Sequence, residues 1–165
     1  MKQLLLDIQQ RLLTQAPALK YVDEDWGQLD YYSPNMPVQF PAALIDASGA
    51  SYTNEGKLIQ LAAVQVRLRI VDMKLTNTSG RAPQGQKDAA FGIFDTLREI
   101  HQALHGWAGS SHYSRLIRQS SKRVLRNDGI RIYEIIYTVQ LTDSAAMPVP
   151  VTTPAPVPVV SFLLI

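Results

Sequence analysis

The sequence predicts an α+β domain in which an antiparallel sheet is packed by two helices, in the order α-β-β-α-β-β. Three observations carry this. Two segments, around Leu4–Leu13 and Phe91–Leu104, place apolar residues three and four apart. Two others, 61–72 and 130–142, alternate apolar and polar residues as half-buried strands do. Between residues 125 and 130, Asn127-Asp128-Gly129 is a strong hairpin signal, because Asn and Gly tolerate positive φ.

The first helix comes from Leu4/Leu5, Ile8 and Leu12/Leu13, with Asp7, Gln10, Arg11 and Gln15 on the opposite face and a stop before Pro17. Residues 18–36 lack regular periodicity and predict an ordered excursion holding one short strand. Val38–Ile45 is strand-like, and Pro41 assigns it to an edge or a bulge. The turn-rich SGASYTNEG (48–56) predicts the link of a hairpin to the strand over 58–72. In that strand Val64, Val66, Leu68 and Ile70 make a core face, and Gln65, Arg67 and Arg69 a wet or partner-facing one. Residues 74–88 (KLTNTSGRAPQGQKD) predict a mobile or functional loop. The second helix is expected from Lys87-Asp88 to Gly106, with Phe91/Phe94, Leu97, Ile100/His101 and Leu104 as its apolar stripe. Two strands follow, at 114–125 and 130–142. In the latter, Tyr133, Ile135, Tyr137, Val139 and Leu141 share one face.

A chain of 165 residues with 46% hydrophobic residues and a net charge of +2 can build one domain, and its composition excludes bulk disorder. With no cysteine, a disulfide scaffold, a Cys-based metal site and a thiol nucleophile are excluded. No apolar run reaches the roughly 18 residues of a membrane span, and the leucines after Met1 break at Asp7, too early for a signal peptide. Synthesis in the cytoplasm is expected. Residues 1–60 hold 7 acids and 4 bases, whereas 61–165 hold 7 acids and 12 bases. Two unlike halves suit copies that dock head to tail. Residues 144–165 are set apart from the 1–143 domain: five prolines, no charge, and an apolar end at Val159, Val160, Phe162, Leu163, Leu164 and Ile165. Such an arm is polyproline-like.

Few constellations suggest chemistry. His101 and His105 have metal-ligand spacing, with His112 following, but no acid completes a motif. Asp23, Glu24 and Asp25 fit a solvated turn or docking surface better than a catalytic pair. Arg115, Arg118, Lys122, Arg123, Arg126 and Arg131 face only Asp128 in the same stretch. They suit a solvated face, an acidic protein partner, or a small nucleic-acid-binding module built on that hairpin. No phosphate-binding glycine loop or nucleophile elbow is present, so no enzyme and no cofactor is expected.

Four segments carry a family resemblance: PVQFPAALID (37–46), LAAVQVRLRIVD (61–72), TLREIHQALHG (96–106) and RIYEIIYTVQLTD (131–143). In these the chain resembles the tail-terminator, or tail-completion, proteins of long-tailed bacteriophages, over about residues 1–143. The resemblance implies a structural virion protein without catalytic residues. Its members form a hexameric ring on the head-proximal end of the tail tube, stop tail polymerisation and provide the surface for head–tail joining. The implied partners are further copies of itself, the tail tube protein, and sheath and head-connector proteins, with DNA only as passing cargo and no membrane. A head–tail connector or neck protein is the alternative within this class. Gln65, Arg67, Arg69, Asp23, Glu24, Asp25, Arg115, Arg118, Lys122, Arg123 and Arg126 are then candidates for the subunit or tube interface. The arm is expected to bring Val159–Ile165 to a neighbouring copy as a strand or plug.

Overall fold

The computed structural model describes residues 1–30, 37–73, 76–110 and 112–148. Seven elements follow one another: α1 (Lys2–Gln15), β1 (Tyr21–Glu24), β2 (Ala42–Gly56), β3 (Ile59–Met73), α2 (Gln84–Leu104), β4 (Ile117–Val124) and β5 (Ile130–Asp143). The strands form one sheet in the order β1-β2-β3-β5-β4. All neighbours are antiparallel except β1 and β2, which run parallel over Tyr21–Glu24 and Ala42–Ile45. This is the expected α+β class, and the short strand expected within 18–36 is β1.

The main core lies between the helices and one sheet face. Leu4, Ile8 and Leu12 of α1, at helical spacing, meet Ile93, Ile100, Ala103 and Leu104 of α2. Beneath them lie Val64, Val66, Leu68 and Ile70 of β3 and Ile135, Tyr137 and Val139 of β5, the alternate residues of each strand. A second, smaller core covers one end of the opposite face, where Leu29 and Val38 pack on Ala42, Leu44, Val71, Ile130 and Ile132. Beyond that patch the second face carries the charged and polar side chains Gln65, Arg67, Arg69 and Glu134 beside the apolar Ile136.

Several boundaries differ from expectation. β2 is an interior strand at its start rather than an edge, because Pro41 lies just before it and its carbonyl accepts from the Lys20 N–H (2.8 Å). Residues 48–56 are no link: β2 stays paired with β3 to Gly56, with one irregularity at Asp46/Gly49 and another at Asn54/Gly56. The hairpin turns at Lys57-Leu58, where Gly56 (φ 148°) and Leu58 (φ 66°) hold positive φ. α2 begins at Gln84, so its first turn takes residues 84–88 from the predicted loop. Its helical run ends at Leu104, and Gly106 (φ 78°) turns the chain away. β4 starts at Ile117 because the preceding residues are bonded otherwise: Leu116 N–H donates to Trp107 O (2.9 Å) and Ser114 N–H to Gln140 O (2.7 Å). Gly129 (φ 81°) closes the β4–β5 hairpin as the Asn-Asp-Gly signal requires. Among the described residues, no helix is long and apolar enough to cross a membrane.

Candidate interaction surfaces

The polar residues that β3 alternates with its core residues stand on the second face of the sheet, and their neighbours are set by strand register. Leu44 lies beside Arg69 and Asp46 beside Arg67 across β2–β3, and Glu134 beside Arg69 across β3–β5. Lys122 of β4 lies beside Glu134. The result is a line of ion pairs across the sheet. Arg67 pairs with Asp46, Arg69 with Asp25, and Lys122 Nζ with Glu134 Oε1 at 2.9 Å. Gln65 joins Asp46, Gly49, Arg67, Glu134 and Ile136 in lining a shallow cleft on this face.

The acidic tripeptide does not act as one group. Asp23 accepts from the Tyr21 hydroxyl (2.6 Å) and from the Glu24 N–H (2.8 Å). That hydrogen bond to Asp23 raises the Tyr21 phenol above its ordinary range. Asp25 turns to Arg69 and is itself nearly buried. Glu24 is exposed, and its carbonyl accepts from the buried Gln28 side chain (2.8 Å). The three carboxylates therefore do three different things, and no paired-carboxylate site forms.

The basic hairpin is likewise divided. Arg126 donates to Asp30 (2.7 Å) and to Asp128 (2.6 Å), and these hydrogen bonds hold its guanidinium pKa up and the Asp128 carboxyl down. Arg131 is not part of a solvated face. It is buried, donating to Ala90 O of α2 (2.7 Å) and pairing with Asp72 of β3. Arg115, Arg118, Lys122 and Arg123 are exposed, on or just before β4. The joint basic surface thus loses Arg126 and Arg131 to internal ion pairs, and Lys122, though exposed, is paired with Glu134.

The histidines come together only in part. The rings of His101 and His105 are in contact, tilted by 34° with centroids 4.9 Å apart, and His105 Nδ1 accepts from the Arg118 N–H (3.2 Å). Burial, together with the positive charge of Arg118, holds His101 below its ordinary range. Among the described residues there is no group of three or more His, Cys, Asp or Glu able to hold a metal ion. Val159, Val160, Phe162, Leu163, Leu164 and Ile165 lie outside the described residues.

Two features were not foreseen. Phe91 and Phe94 were expected in the core of α2, yet they are 44% and 50% exposed. They sit on the flank of the helix, with Phe94 edge-on to Tyr133 at 5.7 Å between centroids, beside Arg123. The second feature ties α1 to the loop after α2. Tyr113 OH donates to Asp7 (2.8 Å), and the Arg11 guanidinium lies 5.4 Å from the Trp107 ring. Arg11 Nε–H also donates to Ala103 O (3.1 Å).

No protein-family model matches the chain, and no curated protein matches it. Among solved structures it is similar to a chain from the virion of a native gene transfer agent (GTA) particle. That likeness has a TM-score of 0.48 and 12% sequence identity, and covers 85% of this chain and 95% of that one.

Proposed function

We propose that this chain is a non-catalytic structural subunit of a tailed phage or phage-like particle. In this reading its copies close into a hexameric ring on the head-proximal end of the tail tube. The ring stops tube growth and offers its upper surface to the head connector. What supports the reading is the placement of the four segments that carry the resemblance. They supply the start of β2, most of β3, the end of α2 and nearly all of β5, which is the centre of the fold rather than its periphery. The partners are then further copies, the tube protein, and sheath and connector proteins. The nucleic-acid-binding alternative is less favoured, since Arg126 and Arg131 are held by acids of the same chain.

Native mass spectrometry of the purified protein, alone and mixed with its tube protein, tests the proposal. A closed hexamer in either sample, without metal or nucleotide mass, is the expected result. A closed dodecamer moves the assignment to the neck, and a monomer in both samples removes the ring.

A further inference from the structure

We infer that the ring is built by continuing the sheet from one copy to the next, the exposed edge of β4 pairing antiparallel with the bare edge of β2 of a second copy. This rests on the ring reading above and specifies its interface.

Each end of the sheet leaves backbone groups unpaired. Among the described residues, β1 covers β2 from Ala42 to Ile45, and Asp25 N–H donates to Ile45 O (2.8 Å). From Ala47 to Gly56, β2 has β3 on one side and, among the described residues, no strand on the other. At the opposite end, His105 takes the outward N–H of Arg118, and beyond it Gln119–Val124 has, among the described residues, β5 on one side and no strand on the other. Ser51–Gly56 and Ile117–Arg123 are exposed throughout. Bare edges of this kind are templates for another strand, and proteins commonly guard them with charge.

Here the guards have opposite signs. Every charged residue of β1 and β2 is an acid and every charged residue of β4 is a base; with Asp46 and Lys122 paired inside the chain, Asp23, Glu24 and Glu55 stand against Arg118 and Arg123. Like edges of two copies repel one another, while unlike edges attract. That is a heterologous contact, which ends only when a ring closes. Strand direction agrees. Within the chain β4 runs opposite to β2, through three successive antiparallel pairings. A rotation about an axis along the strands preserves direction, so β4 meets the next copy's β2 antiparallel. Charge also suggests a register. With Arg123 beside Glu24, where β1 ends, Ser120 comes level with Gly49, because the β2 irregularity at Asp46/Gly49 shortens that strand's advance.

The absence of cysteine makes a direct test clean. Ser120 and residues 49, 51 and 53 belong to the same sheet face in register. Full-length chains carrying Ser120→Cys together with Gly49→Cys, Ser51→Cys or Thr53→Cys are oxidised and run without reductant. Within one chain these positions are three strand spacings apart, about 14 Å, beyond the roughly 7 Å a disulfide spans. Every disulfide therefore joins two copies. In at least one pair we expect a ladder of covalent oligomers ending at the mass of the ring. Single-cysteine chains should stop at dimers. If all three double variants also stop at dimers while the native mass remains a ring, the interface is wrong and the ring stands. A monomer with no ladder sinks both. Arg123→Glu should lower the ring fraction at least tenfold, and adding Glu24→Arg should restore it. Failure of that rescue in a folded protein also counts against the pairing.

Discussion

Among the described residues, the hydroxyl of Tyr137 finds no hydrogen-bond partner in the main core, and burial pushes its phenol up to about 12. An unmet buried donor costs free energy that a phenyl ring does not. Tyr137→Phe should therefore raise stability by about 1 kcal/mol, measured by urea unfolding. Gly109 is the opposite case. A Cβ there would lie 2.2 Å from the Tyr113 hydroxyl and 2.7 Å from the Trp107 ring, and Tyr113 is held in place by Asp7. Gly109→Ala should cost about 2 kcal/mol, whereas Gly80→Ala, which meets open space, should change stability by less than about 0.5 kcal/mol. His101 supplies a pH dependence. An unfolded histidine titrates near 6.5 and the folded His101 lower, so as pH falls from 7 toward 5 the unfolded chain takes up a proton that the folded chain refuses. Stability falls over that interval, and His101→Gln should flatten the decline in a series of urea melts.

At the scale of elements, α2 is held to the sheet by Arg131, which reaches Ala90 O while pairing with Asp72. Arg131→Met leaves that carboxylate without its cation and should cost about 3 kcal/mol in a urea melt. The same helix shows why the sequence was only partly legible. Its period was readable, but the buried face holds Ala90, Ile93, Thr96, Ile100, Ala103 and Leu104, while the larger Phe91 and Phe94 lie on the flank. Weighting side chains by size turns the stripe the wrong way, because half of the buried face is the small residues Ala90, Thr96 and Ala103. β3 and β5 were legible since burial on one face imposes strict alternation. The far half of β2 was not. Ser51–Gly56 is exposed on both faces, so its strand character comes from the ladder to β3 and leaves turn-like residues unpenalised. The interface candidates were legible as charges but not as pairs. That Asp25 meets Arg69, or Asp30 meets Arg126, depends on contacts 44 and 96 residues apart.

Across the whole molecule, the acidic first third and the basic remainder partly meet inside one chain, through Asp25–Arg69, Asp46–Arg67 and Asp30–Arg126. The charge left over at the two sheet edges is what a neighbouring copy would encounter. The strand order has a further consequence, for the order of synthesis. β3 finds β2 at once, across a two-residue turn, but its other partner is β5, with Met73 opposite Ile130 and Gln60 opposite Asp143. At ribosomal rates of roughly 5–20 residues per second, several seconds separate the appearance of β3 from that of its second neighbour. For that interval the β2–β3 hairpin stands with Val64, Val66, Leu68 and Ile70 only half covered. A nascent chain stalled before Ile130 should therefore be digested by protease through β3, and one released past Asp143 should resist. The centre of this sheet is made early and becomes stable last.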